Sequence, residues 1–199
     1  NPYLMLAAVL GAAIGYSICA GLIFGPFIAY LSLSQQMFQG TYDKGATFTL
    51  WFALGALSIG IAAIVNSALV ERLGMRFLSN LALIGVVVGG AGFALLSHGA
   101  SGPPPFGMFM GWLMFNFFCM GLLFGNLNAL AMEPLGDMAG LGAAVVGALS
   151  TAIAIAIATL ISDGFSGDVT VMPAGFALSG LICLGLGLLV SKVQQAQVP

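Results

Sequence analysis

The stretch ALVERLGMRFL, residues 68–78, brings Glu71, Arg72 and Arg76 together between two long apolar runs. The 199 residues include only four basic and six acidic side chains, and 60% of the chain is hydrophobic. Such a chain lacks the polar side chains that would cover a water-soluble globule of this size. We therefore expect a membrane protein in which this charged stretch is a short loop between two spanning helices.

Six apolar runs are long enough to cross a bilayer core, which is about 30 Å thick and needs roughly 20 residues of helix. The AIAIAIA run at 152–158 alternates like a strand, but both of its residue types are apolar and it lies within a longer apolar run. Helix is therefore the better prediction there. The sequence predicts an all-α, polytopic membrane protein with a single six-helix domain over residues 1–199. The predicted spans are 3–32, 45–70, 77–97, 106–132, 139–162 and 171–191.

Basic residues predict the topology, because Lys and Arg in short loops are retained on the cytoplasmic side. Arg72, Arg76 and Lys192 fall on one side of the predicted bundle, and Lys44 falls alone on the other. We expect both termini in the cytoplasm and the chain in the inner (plasma) membrane of a bacterium. The chain starts at Asn1, directly before a span that has neither the basic start nor the cleavage site of a signal peptide. We therefore expect a further N-terminal part.

The cysteine and histidine pattern does not predict a metal site. Cys19, Cys119 and Cys183 lie in different spans, and His98 has no second histidine to pair with. Nothing in the sequence resembles a nucleophile with its base, a phosphate-binding loop or a nucleic-acid-binding patch. We expect no enzyme activity, no metal, no cofactor and no nucleic-acid partner.

Glycine spacing predicts how the helices pack. Lipid provides no hydrophobic drive between helices, so small residues that allow close approach become important. We expect these glycines to pack helices within one bundle in preference to forming a dimer face. The pairs with GxxxG spacing are Gly11/Gly15, Gly21/Gly25, Gly85/Gly89, Gly107/Gly111 and Gly121/Gly125.

One internal similarity predicts a repeat. GLIFGPF at 21–27, in the first span, resembles GLLFGNL at 121–127, in the fourth. The first and fourth helices begin successive triplets, and transporter halves built from inverted three-helix repeats place equivalent helices at those positions. Pro26 removes a backbone hydrogen bond and should kink the first helix. The six helices are therefore predicted to form two inverted three-helix repeats.

The charged loop resembles a signature of the major facilitator superfamily, Gly-x-x-x-Asp-Arg-x-Gly-Arg-Arg, which lies between the second and third helix of each half. Ser67 and Met75 depart from it, as is usual in the second half of these transporters. The resemblance implies a conformational latch, whereas the alternative is that the arginines only fix the topology. The residues that match its acidic, basic, glycine and final basic positions are Glu71, Arg72, Gly74 and Arg76.

Further segments resemble the bicyclomycin-resistance (Bcr/CflA-like) multidrug transporters of that superfamily. FIAYLSLSQQMFQ at 27–39 and FTLWFALGAL at 48–57 look like their Phe-Ala-Tyr-x-Ser segment and the Phe-Ala-Leu-Asn-Ala-Leu helix that follows it. EPLGDMAGLGAAVVGAL at 133–149 looks like their Glu-Pro-x-Gly loop and helix. Ser150 stands where Gln is common. The resemblance implies the last six of twelve helices in a proton-coupled drug antiporter, with coupling carboxylates in the first half.

Polar and aromatic groups inside the spans are the candidates for substrate contact, because an unpaired polar group in a membrane usually faces protein or water. Tyr16 and Tyr30 lie on one side of the first helix at 100° per residue. Asn126 and Asn128 lie nearly opposite each other, and Asn116 is closer to Asn126. The alternative for a membrane asparagine is a hydrogen bond between helices. The predicted substrate-binding residues are Tyr16, Tyr30, Asn116 and Asn126.

These features lead to two functional hypotheses. The first is half of a proton-coupled drug exporter, whose partners are the lipid bilayer, lipophilic small molecules and a second six-helix half in the same chain, a homodimer or another subunit. No Asp, Glu, His, Lys or Arg lies mid-span, so this half alone should not couple protons. The second is a non-transporting structural or assembly subunit of a larger complex of membrane proteins, derived from the same fold.

Overall fold

A computed structural model describes residues 2–97 and 102–195, with side chains described over 10–97, 102–136 and 140–190. His98 therefore lies outside the described residues, as does the side chain of Lys192. The described part of the chain is helical and contains no strand. Its α-helices are α1 (Pro2–Gln35), α2 (Phe48–Leu73), α3 (Met75–Ser97), α4 (Phe106–Met132), α5 (Ala139–Asp163) and α6 (Val171–Gln195). Shorter helical turns occupy Gln36–Thr41, Gly45–Thr47 and Glu133–Met138.

Six helices of the described residues are long and apolar enough to cross a membrane, which supports a multi-pass membrane protein and confirms the all-α class. The AIAIAIA run lies inside α5, as predicted. The predicted boundaries fall short at the C-terminal ends of α1, α2 and α6, which continue to Gln35, Leu73 and Gln195. A spanning helix can continue past the apolar core, where water solvates its polar side chains. The first polar residues therefore mark the edge of the bilayer core and do not mark the end of the helix.

Two helices form the centre of the bundle. Within their apolar segments, 72% of α1 and 61% of α4 is buried, compared with 17% of α2. The first helix, α1, packs mainly against α5 and α6, whereas α4 packs mainly against α2 and α3. The helices α1 and α4 also contact each other, as do α3 and α6. Each central helix therefore packs on the outer two helices of the opposite triplet.

The closest helix contacts are made at glycine. A Cβ atom added to Gly25 would lie 2.5 Å from Ile157 Cβ on α5, and one added to Gly121 would lie 2.6 Å from Ala62 Cβ on α2. No larger residue fits there without a shift, so the predicted packing by small residues is confirmed at these positions. Among the predicted pairs, the glycines whose added Cβ would meet nothing within 4 Å are Gly11, Gly107, Gly111 and Gly125.

The charged loop of the sequence is a one-residue turn between α2 and α3. Gly74 has φ 81°, a conformation that suits glycine, and its N–H donates to Val70 O at 2.9 Å to close the end of α2. We call the end of the bundle with this turn and the α4–α5 turn the Arg76 end. The opposite end, which carries Lys44, is the Lys44 end.

Candidate functional site

The two predicted tyrosines do not share a site. Tyr16 and Tyr30 are both buried on α1. Fourteen residues separate them, which is about 21 Å along a helix at 1.5 Å per residue. Tyr16 lines a cavity near the Arg76 end, whereas the Tyr30 ring packs against Phe52 of α2 and Phe117 of α4. A helical wheel compares angles around the axis and leaves out this separation along it.

Buried polar groups without a partner occur near the middle of the bundle. Asn116 is fully buried, and neither its amide nitrogen nor its carbonyl oxygen has a hydrogen-bond partner among the described residues. The Tyr30 hydroxyl is buried without a partner as well. Leaving such groups unpaired is unfavourable by roughly 1–3 kcal/mol each. Asn116 and Tyr30 therefore favour bound water or a polar ligand at this depth.

Asn126 is committed to a contact between helices. Its amide nitrogen donates to Asn66 Oδ1 at 2.7 Å, and the Asn66 amide donates back to Asn126 Oδ1 at 3.1 Å. These two hydrogen bonds join α4 to α2. They occupy amide groups of Asn126 that would otherwise be free to bind a substrate. The arrangement matches the alternative role expected of a membrane asparagine. Asn66 was not among the predicted residues, because no spacing rule links it to Asn126.

Aromatic rings meet where α1 and α4 cross. Phe24 and Phe124 stack with ring centroids 4.5 Å apart and an angle of 18° between planes. Phe27 contacts the Phe124 ring edge-on at 5.4 Å. Phe24 and Phe124 are the fourth residues of the two matching segments, GLIFGPF and GLLFGNL. Equivalent positions of the two segments therefore lie in direct contact.

A small groove of about 150 Å³ lies beside this crossing, between α1, α4 and α5; we call it the α1–α4–α5 groove. Asn128 is exposed and donates to Phe124 O at 2.9 Å, while the Ser150 hydroxyl donates to Val146 O at 2.7 Å. Thr151 is exposed on α5. The groove combines aromatic and neutral polar groups of the kind that line ligand sites, but its volume is below the roughly 300 Å³ at which such sites begin, so a drug-sized solute would need further walls from a second half. Its lining residues are Phe24, Ile28, Asn128, Ser150, Thr151 and Ala154.

Sequence reasoning missed this groove for a definable reason. A helical wheel places Asn126 and Asn128 on opposite sides of α4. The sequence does not say which of these two sides α2 covers. The structure has Asn126 buried at 3% exposure and Asn128 exposed. The phenylalanine shared by the two matching segments was the available signal, because it marks the crossing that the groove borders.

The predicted latch residues cluster at the Arg76 end. Glu71 and Arg72 are exposed in the last turn of α2. Arg76 Nη2 lies 3.6 Å from Glu133 Oε2, which connects α3 to the turn after α4. Both side chains are about half exposed, at 52% and 54%. An exposed ion pair of this length contributes little to stability, roughly 0–1 kcal/mol, so it would open easily.

Aromatic rings pack together at the Lys44 end. The Tyr42 ring lies 5.2 Å from the rings of Phe106 and Phe109, and Lys44 Nζ lies 5.5 Å from the Phe106 centroid. Burial, followed by the nearby Asp168 carboxylate, raises the pKa of Tyr42 above its usual value. The hydroxyl therefore remains neutral at physiological pH.

Among the residues that the structure describes, no group of three or more His, Cys, Asp or Glu side chains is placed to hold a metal ion. Comparisons of the chain with protein-family models, with curated proteins and with solved structures found no match. The family resemblance of the loop and helix motifs thus stays a prediction, and the functional argument depends on the geometry.

Proposed function

We propose that this chain is half of a membrane transporter for lipophilic small molecules, built from two inverted three-helix repeats and completed by a second six-helix half. The observation that carries the proposal is the equivalent packing of α1 and α4. Gly21 packs α1 onto α5, and Gly121 packs α4 onto α2, at the same position of the matching segments. Helices one and four of a repeat pair are those expected to border a substrate path.

The distribution of polar groups supports the same proposal. Asn128 and Thr151 remain exposed at the α1–α4–α5 groove, next to the stacked Phe24 and Phe124 rings. A neutral, partly aromatic surface suits a lipophilic drug, and a second half would cover it. The charged side chains of the described residues lie at helix ends or in turns, so the coupling of transport to protons is assigned to the second half. The proposed location is a bacterial inner membrane with both termini cytoplasmic.

Water access to the groove tests the proposal. We would introduce cysteine by Asn128→Cys and Thr151→Cys and measure labelling by a membrane-impermeant maleimide, added in separate experiments to each side of membranes containing the full assembly. Ala152→Cys is the matched control, because Ala152 is the exposed neighbour of Thr151 but does not line the groove. The native cysteines at 19, 119 and 183 are buried, and the labelling of the unmodified protein measures their background reaction with the maleimide.

A transporter predicts that the Asn128→Cys and Thr151→Cys variants label faster than the Ala152→Cys variant, and that a lipophilic cationic dye slows their labelling. Labelling no faster than the control would mean that lipid or other helices cover the groove. That result would overturn the transport proposal and favour a structural subunit of a larger membrane complex.

A further inference from the structure

A second cavity, of about 350 Å³, lies near the Arg76 end between α3 and α6; we call it the α3–α6 groove. Tyr16 of α1 and Leu130 of α4 form part of its floor. At its rim, Ile84 is 48% exposed and Leu188 is 64% exposed. The groove therefore opens sideways, toward the lipid that surrounds a membrane protein, and its volume falls at the lower end of the roughly 300–1,000 Å³ typical of ligand sites.

The groove arises from the way α3 and α6 cross. Near the Lys44 end the helices are in tight contact, since a Cβ added to Gly90 would lie 2.7 Å from Ala177 Cβ on α6. Toward the Arg76 end the contact loosens, and a Cβ added to Gly187 would have Asn80 Oδ1 as its nearest neighbour, at 4.0 Å. The glycine at 187 thus leaves open space where the helices separate.

Three polar side chains gather at the mouth of this otherwise apolar groove. Ser79 is 3% exposed, and its hydroxyl borders the groove without a hydrogen-bond partner in the part of the chain that the structure describes. Asn80 and Arg76 are exposed beside it. Among the described side chains Arg76 makes one ion-pair contact, to Glu133 at 3.6 Å, and a guanidinium carries five N–H donors in all. Donors therefore remain available to a further anion.

We propose that the α3–α6 groove binds an anionic phospholipid, with its phosphate at Arg76, Ser79 and Asn80 and an acyl chain along the wall that includes Ile84 and Leu184. A guanidinium, a hydroxyl and an amide supply charge-assisted hydrogen bonds to phosphate. Basic pockets between spanning helices at the membrane surface suit anionic headgroups. A free phosphate shares the headgroup chemistry but gains nothing from the apolar wall. The proposal does not depend on transport.

Native mass spectrometry of the full assembly tests the ligand. Phosphatidylglycerol and phosphatidylcholine with identical acyl chains would be titrated into detergent micelles, with inorganic phosphate as a third probe. We expect phosphatidylglycerol to bind roughly fivefold or more tightly than phosphatidylcholine, the effect of one basic residue at the membrane surface, and phosphate alone to leave no adduct. Equal binding of the two lipids, or phosphate binding as tight as that of phosphatidylglycerol, would overturn the proposal.

Two pairs of variants test the position. Arg76→Gln should abolish the preference for phosphatidylglycerol, whereas Arg72→Gln, four residues earlier and outside the groove lining, should retain it. Gly187→Leu should fill the groove and lower phosphatidylglycerol binding without a change of charge. Gly185→Leu is its control, because an added Cβ there meets nothing within 4 Å and Gly185 does not line the groove. Unchanged binding in the Gly187→Leu variant would place the lipid elsewhere.

Discussion

The two matching segments, GLIFGPF in α1 and GLLFGNL in α4, begin alike and then differ. Gly21 and Gly121 both pack against the second helix of the opposite triplet: a Cβ added to Gly21 would lie 2.7 Å from Ser150 O, and one added to Gly121 would lie 2.6 Å from Ala62 Cβ. One turn later an added Cβ at Gly25 would still meet Ile157, whereas Gly125 has nothing within 4 Å. The two similar segments therefore make equivalent helix contacts at their first glycine. At the second glycine the contact depends on which neighbouring helix lies there.

The residue that follows the second glycine also differs between the two segments. In α1 it is Pro26, inside a helix held to α5 by close packing, and in α4 it is Asn126, which hydrogen-bonds to Asn66 of α2. The contact of α1 with α5 is therefore made by van der Waals packing through two turns. The contact of α4 with α2 is made by close packing at Gly121 and then by the hydrogen-bonded amides of Asn66 and Asn126. We expect this second turn to separate more easily than the close packing at Gly25.

The largest expected difference is between Gly25→Ala and Gly125→Ala. The added methyl group at Gly25 overlaps Ile157 and should lower the free energy of unfolding by about 1–3 kcal/mol. The same change at Gly125 meets open space and should be neutral or slightly stabilising, since alanine favours helix over glycine. Thermal unfolding in detergent, followed by the reaction of the buried native cysteines with a thiol-reactive dye, measures both. Equal effects would mean that the two second turns are not packed differently.

The next prediction concerns the first glycine of each segment, where the helix contacts are equivalent. Gly21→Ala and Gly121→Ala should each lower the free energy of unfolding by about 1–3 kcal/mol and by similar amounts, because both added methyl groups meet backbone oxygens at 2.7 Å, from Ser150 and Ile59. The same dye assay applies. A large effect at one position with none at the other would break the proposed repeat relation between α1 and α4.

A double-mutant cycle on Asn66 and Asn126 should give a smaller value. Interhelical hydrogen bonds in membrane proteins average about 0.6 kcal/mol and reach about 1.7 kcal/mol in such cycles. We expect Asn66→Ala and Asn126→Ala to show a coupling energy in this range, because two hydrogen bonds are lost together. Unfolding free energies of the two single variants and the double variant measure it, and additive effects would indicate that the pair does not hold α2 to α4.

Arg76→Gln should have the smallest effect on stability, below about 1 kcal/mol, because its ion pair with Glu133 is half exposed. Glu133→Gln removes the same pair from the other side and should have a matching effect. Unfolding temperatures of the two variants, measured at low and high salt, provide the check. A loss that is large and insensitive to salt would show that Arg76 is held by interactions other than this pair.

The sequence predicts the number and order of the helices well, because uninterrupted apolar length is a strong signal for a span. The 106–132 span coincides with α4. The substrate-binding residues stay a prediction, since a helical wheel gives an angle and not the neighbour at that angle. Tyr16 and Tyr30 share a side of α1 but face different helices along its length, and Asn126 faces α2. Those neighbours depend on how the six helices pack, which spacing within a single helix does not encode.

The measurement that tests the central claim most directly is native mass spectrometry of the chain extracted gently from its own membrane, with the covalent mass and all bound subunits recorded. The account predicts one further six-helix unit, joined covalently, as a homodimer or as a second subunit, giving twelve helices in the assembly. A 20.2 kDa polypeptide held at a fixed ratio with unrelated membrane subunits would contradict it and would identify a structural component instead.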